Sequence, residues 1–173
     1  MDAEKFTKKS LEVIESCEKL AYEYNNQELT QAHLMYALVT VEDSLIAKLL
    51  TNMGINMDAF TGECEKLVAN RPKVSGGQLF TSPEFSKALI QAEKEAKQMG
   101  DDYISVEHIF LGLLEKADKD IKRVINAYGI TRGKFLEVLA NIRGNRKVES
   151  DNPEDTYDAL NKYGYNLVAV LLY

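Results

Sequence analysis

The sequence predicts an all-α fold, built from two pseudo-two-fold repeats of four helices each, with a C-terminal tether and a short helix after them. Three observations predict it. Apolar residues recur at helical spacing through most of the chain. The whole pattern occurs twice, at a constant offset of 75 positions. Only three prolines and ten glycines among 173 residues leave little material for a loop-rich β architecture.

The internal repeat is visible in residues of several types. His33 and His108 are 75 positions apart, as are Gly54 and Gly129. Three further pairs keep the same offset without a gap: Ala21 and Ala96, Asp43 and Asp118, and Phe60 and Phe135. The predicted boundaries are therefore a first repeat over 1–70, a connector over 71–81 and a second repeat over 82–143.

Helix starts repeat at the same offset. Each predicted helix is preceded by a residue type whose side-chain oxygen accepts a hydrogen bond from the free N–H groups of the first turn. These residues are Thr7, Thr30, Asp43 and Asn56 in the first repeat, and Ser82, Ser105, Asp118 and Thr131 in the second. Four caps in each repeat predict four helices in each repeat.

Glycines mark helix ends and one helix crossing. Gly54 and Gly129 follow apolar helix ends and precede Ile, which is typical of a left-handed C′ residue. Gly112 lies inside a predicted helix, where glycine costs roughly 0.5–1 kcal/mol relative to alanine. We expect a neighbouring helix to pass close to it.

The segments outside the helices are polar. The connector carries Pro72 and a Ser-Gly-Gly run, and its Leu79 and Phe80 are predicted to be held to the body. Residues 144–152 lack periodicity and are predicted to form a flexible linker. Residues 153–173 are predicted to begin a truncated following ATPase module, with a helix that opens at Asn152-Pro153-Glu154 and continues through Tyr163.

Composition excludes several classes of function. A net charge of −6 without a basic run argues against a nucleic-acid partner, and the sequence has no apolar stretch long enough to cross a membrane. Cys17 and Cys64 lie on predicted apolar faces and lack metal-ligand spacing, so we expect buried thiols, no disulfide and a cytoplasmic location.

No catalytic, cofactor-binding or metal-binding residues are predicted. Gly133-Lys134 is followed by Phe135, so a phosphate-binding loop is absent. His33 and His108 each stand three residues after a cap, where the side chain of a capping box reaches back to the cap N–H. We interpret both as capping residues, with a pH-sensing or ligand-binding role for His108 as the alternative. Glu93 and Glu95 are predicted to face solvent.

At this point the motifs resemble a known family. Thr30-Gln31-Ala32-His33-Leu34 and Ser105-Val106-Glu107-His108-Ile109, with Gly54-Ile55, are similar to the amino-terminal domain of Clp/Hsp100 ATPases. The segments 71–77 and 152–164 resemble the ClpB disaggregase branch. The pattern departs from that branch at Tyr165 and from Val168 onward.

The resemblance implies a substrate-engaging domain of a hexameric, ATP-driven chaperone that acts on unfolded or aggregated polypeptide with an Hsp70-type partner. ATP and magnesium would bind in ATPase modules outside these residues, so this chain would not itself be an enzyme. The alternatives are an adaptor-docking domain of a protease-associated unfoldase, which the ClpB-like segments disfavour, and an independent enzyme, for which we find no acid, base and nucleophile.

The resemblance also implies a shallow substrate groove. Its candidate residues in this sequence are Thr7, Leu89, Gln91, Asp101, Glu107 and His108. Five of the six have a plainer interpretation: Leu89 as core, Thr7 and His108 as caps, and Asp101 and Glu107 as surface charges. A related branch recognises phosphoarginine with a Glu before each repeated His. Ala32 stands at one of those two places, which argues against that activity here.

Overall fold

The computed structural model describes residues 2–154, which form eight helices and one short parallel strand pair. The first repeat contains α1 (Lys8–Glu23), β1 (Glu28–Leu29), α2 (Gln31–Thr40), α3 (Leu45–Asn52) and α4 (Met57–Ala69). The second contains β2 (Phe80–Thr81), α5 (Pro83–Gln98), α6 (Val106–Glu115), α7 (Lys119–Ala127) and α8 (Arg132–Arg143). The predicted all-α double repeat is confirmed.

Seven of the eight predicted caps stand where the sequence places them. The exception is Asp43, which has a φ of 53° and lies in the turn before α3. Ser44 caps α3 instead, because its Oγ accepts from Ala47 N at 3.0 Å. When the two repeats are aligned at the offset of 75, helix α3 therefore begins one residue later than helix α7.

The predicted glycine roles at the ends of α3 and α7 are confirmed. Gly54 and Gly129 have φ values of 84° and 66°. The residue after each glycine donates its N–H to a carbonyl five positions earlier, at 3.1 Å for Ile55 and 2.9 Å for Ile130. These bonds close both helices in the same way.

Helices α5 and α6 cross in close contact at Gly112, as predicted. A Cβ at this position would lie 2.3 Å from the carbonyl oxygen of Ala88 and 3.0 Å from the backbone nitrogen of Ala92. Only a residue without a side chain permits this approach.

Two short parallel pairings join the repeats, and neither is among the features predicted from sequence. Leu29 in β1 pairs with Thr81 in β2, and Phe6 pairs with Ile104. The two pairings are related by the repeat offset, because 6 and 81, and likewise 29 and 104, are 75 positions apart. In each, the segment before one repeat's second helix bonds to the segment before the other repeat's first helix. Two equivalent backbone pairings therefore join the repeats.

The core is continuous across both repeats. Helices α2 and α6 are buried along most of their length, and they contact each other at the centre of the core. Cys17 and Cys64 are buried free thiols, as expected, and burial raises the pKa of Cys64 to about 12. Within residues 2–154 no helix is long and apolar enough to span a bilayer.

The segments that follow the repeats run along the body. In the connector, Leu79 packs against the core, and Phe80 is held to the body through its backbone, whose N–H donates to Gln27 O at 3.0 Å, although half of its surface is exposed. After α8, Val148 is fully buried, and its carbonyl accepts from Asp102 N at 2.8 Å. The predicted linker is therefore seated on the second repeat in this structure, while its flexibility stays a prediction. The predicted helix beyond Glu154 and residues 168–173 lie outside the described residues.

Candidate functional site

The two buried histidines fix the start of the central helix in each repeat. Nδ1 of His33 accepts the N–H of Thr30 at 3.0 Å, and Nδ1 of His108 accepts the N–H of Ser105 at 2.9 Å. Both are capping boxes, as the sequence predicts. Because Nδ1 accepts in each case, the ring proton belongs on Nε2.

The two repeats differ in what receives that proton. Nε2 of His33 lies 2.8 Å from the amide oxygen of Asn26, whereas Nε2 of His108 lies 2.7 Å from a carboxylate oxygen of Asp101. Burial, together with the positive charge of Arg71, lowers the pKa of His33 to about 4. The first repeat therefore holds a neutral polar pair, and the second holds an imidazole against a carboxyl group.

Asp101 is the centre of a buried polar network. Burial by itself raises the pKa of a carboxyl group, but hydrogen bonds from His108, from the N–H of Val148 and from Arg143 outweigh it, so the pKa of Asp101 is lowered. The guanidinium of Arg143 contacts Asp101 directly. The interpretation of Asp101 as a surface charge is wrong, because its side chain is fully buried.

Glu107 is also buried, and the surface-charge interpretation is wrong for it too. It occupies the first turn of α6, next to His108. Its nearest cation is Arg143, whose Nη1 lies 3.9 Å from Oε2. Among residues 2–154, neither carboxylate oxygen of Glu107 has a hydrogen-bond donor.

Thr7 meets this network through the end of the described chain. It caps α1, and its Oγ1 donates to Oε1 of Glu154 at 2.9 Å. The same Glu154 oxygen accepts the N–H of Val106 at 3.3 Å. Burial and the neighbouring charge of Glu107 raise the pKa of Glu154 to about 7. Thr7, Glu107 and Glu154 therefore surround one small polar site between the N-termini of α1 and α6.

The other two predicted residues make their contacts elsewhere on α5. Leu89 is half-buried against the core, and Nε2 of Gln91 donates to Glu95 at 3.2 Å. Between them Ile90 is 49% exposed. The prediction that Glu95 faces solvent is wrong, because it is 2% exposed and forms a two-pronged ion pair with Arg132 at 2.8 and 2.7 Å.

Arg143 and Glu154 are not among the residues predicted for the site, although the repeat offset contains a signal for them. Their counterparts 75 positions earlier are the apolar residues Val68 and Leu79. A charge at a position that is apolar in the other copy indicates a charge enclosed by protein. Ala32, the counterpart of Glu107, gives the same signal.

The network has no arrangement suited to a metal ion. Two of its carboxyl groups, those of Asp101 and Glu107, lie within 4 Å of the Arg143 guanidinium, and Asp101 is already bonded by His108, Arg143 and Val148. Within the described range 2–154, no group of three His, Cys, Asp or Glu side chains is placed to hold a metal. The site between Thr7 and Glu107 contains two hydrogen-bond donors, the Thr7 hydroxyl and the Val106 N–H. Beside them lies the Glu107 carboxylate, which has no donor among the described residues.

Comparison with known proteins agrees with this architecture. Residues 5–128 match the family model of the Clp repeat N-terminal domain. The chaperone protein ClpB of Clostridium tetani is 40% identical over 97% of this chain, and that of Nitratidesulfovibrio vulgaris is 41% identical over 97%. The chain spans about a fifth of the length of these curated relatives.

Solved structures share the fold. The N-terminal domain of Hsp104 from Candida albicans superposes with a TM-score of 0.75 over 85% of this chain and 97% of that one, at 21% identity. The N-terminal domain of ClpD from Arabidopsis thaliana gives 0.61 over 80% and 96%, at 20% identity. With its doubled four-helix pattern, paired capping histidines and family match, the chain belongs to the Clp N-terminal domain family and is similar to the ClpB chaperones.

Proposed function

We propose that this chain is the substrate-engaging domain of an ATP-dependent protein disaggregase, and that it binds unfolded or aggregated polypeptide. The similarity to ClpB chaperones along 97% of the chain is the observation that carries the proposal. The ATPase chemistry, with ATP and magnesium, would belong to modules outside these residues. A hexameric parent and an Hsp70-type partner are parts of the same proposal.

The proposed binding surface combines an apolar and a polar part. Ile90 is the exposed apolar residue of α5, and it lies between Leu89 and Gln91. Thr7 and Glu107 are buried in this structure beside Glu154, and we propose that they provide the polar part, at the start of α1 and α6, when Glu154 withdraws. Asp101 is bonded by His108 and by Arg143, so we propose that Asp101 and His108 position α6 and do not contact the substrate. A surface this small implies affinity in the micromolar to millimolar range, which repetition on an oligomer would strengthen.

The proposal is tested by titrating the ¹⁵N-labelled chain with reduced, carboxymethylated α-lactalbumin, which is permanently unfolded, and with native α-lactalbumin. We expect amide chemical-shift changes on α5 and on the first turns of α1 and α6 with the unfolded protein alone. Equal changes with the folded protein, or none with either, would contradict the proposal.

A matched pair of variants locates the surface. Ile90→Ser and Tyr22→Ser each remove one exposed apolar side chain from the surface of a helix. We expect the first substitution to weaken binding several-fold and the second to leave it unchanged. The reverse result would move the surface to α1 and the neighbouring connector, where Tyr22 and Val74 line a shallow depression.

A further inference from the structure

The site between Thr7 and Glu107 is filled by a side chain from the far end of the described chain. Glu154 is 147 positions from Thr7, and only 4% of its surface is exposed. The segment that leads to it is fastened by two backbone hydrogen bonds: from Lys8 N to Asp151 O at 2.7 Å, and from Asp102 N to Val148 O at 2.8 Å. Glu154 therefore occupies the site as an internal ligand.

Glu154 forms hydrogen bonds with only some of the polar groups of the site. Its Oε1 accepts from the Thr7 hydroxyl and from the N–H of Val106. Its Oε2 and both oxygens of Glu107 are buried without a donor among residues 2–154. Arg143 lies 3.9 Å from Glu107, beyond hydrogen-bond distance, and its guanidinium is engaged by Asp101 and by the carbonyl of Arg146. Two carboxyl groups thus lie near each other where a donor is needed.

The unpaired polar atoms of the site indicate which chemical group it can bind. Two groups can donate to an acceptor oxygen here: the Val106 N–H, and the Thr7 hydroxyl, which also lies 3.0 Å from Oγ of Ser10. The Glu107 carboxylate calls for a donor close to that oxygen. A neutral amide carries an acceptor oxygen and N–H donors on one planar group, whereas an ionised carboxylate carries acceptors alone. A protonated carboxyl group imitates the amide, and the pKa of Glu154 is raised toward that form.

We infer that the site formed by Thr7, Val106 and Glu107 accepts the side-chain amide of an Asn or Gln of the bound polypeptide, which carries an N–H on the same side as its oxygen, and that Glu154 occupies this site until substrate displaces it. The inference rests on the proposed function and names the chemical group that the site recognises. Because a site that is open for only a fraction of the time binds with an apparent Kd raised by that fraction, Glu154 weakens substrate binding.

Two substitutions of Glu154 distinguish this role from a purely structural one. Glu154→Ala removes the internal ligand, so we expect the apparent Kd for reduced, carboxymethylated α-lactalbumin to fall at least 3-fold. Glu154→Gln supplies a neutral amide of the same shape, so we expect the Kd to rise at least 3-fold. If Glu154 made only a structural contact, both substitutions would change the apparent Kd in the same direction. Glu149→Gln, an exposed charge change in the same segment, is the matched control and should not alter binding.

A second measurement tests the amide preference without polypeptide. The ¹⁵N-labelled Glu154→Ala chain is titrated with two primary amides, acetamide and propionamide, and with sodium acetate at equal concentrations. We expect the two amides, but not acetate, to shift the backbone resonances of Val106 and Glu107. The shifts should disappear in the double variant that also carries Glu107→Ala.

The outcomes separate the two proposals. If wild type binds unfolded polypeptide but Glu154→Ala binds no better, or if acetate shifts the resonances as strongly as the amides, the inference is overturned and the proposed function stands. If neither wild type nor Glu154→Ala binds unfolded polypeptide while the amides still shift Val106, the proposed function fails and the amide site remains.

Discussion

Replacing Gly112 with alanine should destabilise the protein, although alanine is the better helix former. The new Cβ would lie 2.3 Å from the carbonyl oxygen of Ala88 and 3.0 Å from the nitrogen of Ala92. Both are backbone atoms, so no rotamer change relieves the contact. To restore an ordinary separation, α5 and α6 must move apart by about 1 Å along a well-packed crossing.

The magnitude follows from two opposing effects. Overpacking of a tight core typically costs about 1–3 kcal/mol, and the rigid backbone contact places this site near the upper end. Higher helix propensity returns about 1 kcal/mol. We therefore expect Gly112→Ala to lower the free energy of unfolding by about 2 kcal/mol, which for a domain of this size lowers Tm by about 4–8 °C.

Thermal and urea unfolding, followed by circular dichroism, measure the effect. Gly62 provides the matched control, because it lies inside α4 and an added Cβ would meet nothing within 4 Å. Gly62→Ala should raise stability by about 1 kcal/mol. A Gly112→Ala protein as stable as wild type, alongside a stabilised Gly62→Ala protein, would refute the close crossing.

Two further predictions concern buried ionisable groups. The pKa of His33 is about 4 when folded and near 6.5 when unfolded, so stability that is fully present above pH 6.5 should be lost as the pH falls toward 4. Urea unfolding between pH 7 and pH 4 should show wild type losing roughly 3 kcal/mol more than His33→Gln, which keeps a capping side chain; parallel curves would contradict this. Glu95→Gln removes the charge that Arg132 binds through two hydrogen bonds. It should lower the free energy of unfolding by about 1–2 kcal/mol at pH 7, whereas exposed Glu149→Gln should have almost no effect, and equal Tm values for the two would count against the ion pair.

Much of the candidate site was accessible from sequence, but the environment of its residues was not. The capping function of His33 and His108 depends on a spacing of three residues, which the sequence displays. Whether Glu107 faces water depends on Arg143 and Glu154, which lie 36 and 47 positions away. A carboxylate in the first turn of a helix is typical of an exposed surface, so local pattern alone favoured the wrong environment.

The sequence by itself determined the double repeat, seven of the eight helix caps, the glycine C-termini and the close crossing at Gly112. The repeat depends on a pattern that recurs at a fixed offset, and the caps and glycine C-termini depend on hydrogen bonds within one helix turn. The crossing is indicated by a glycine inside a helix, where only a close neighbour favours it over alanine. Only the tertiary structure decided the cap at Ser44, the reciprocal pairing of Leu29 with Thr81 and of Phe6 with Ile104, and the enclosure of the charged network. Those features join segments that are distant in the chain. The repeat offset indicates which charges are enclosed, but neither it nor a two-residue strand indicates which distant group each one contacts.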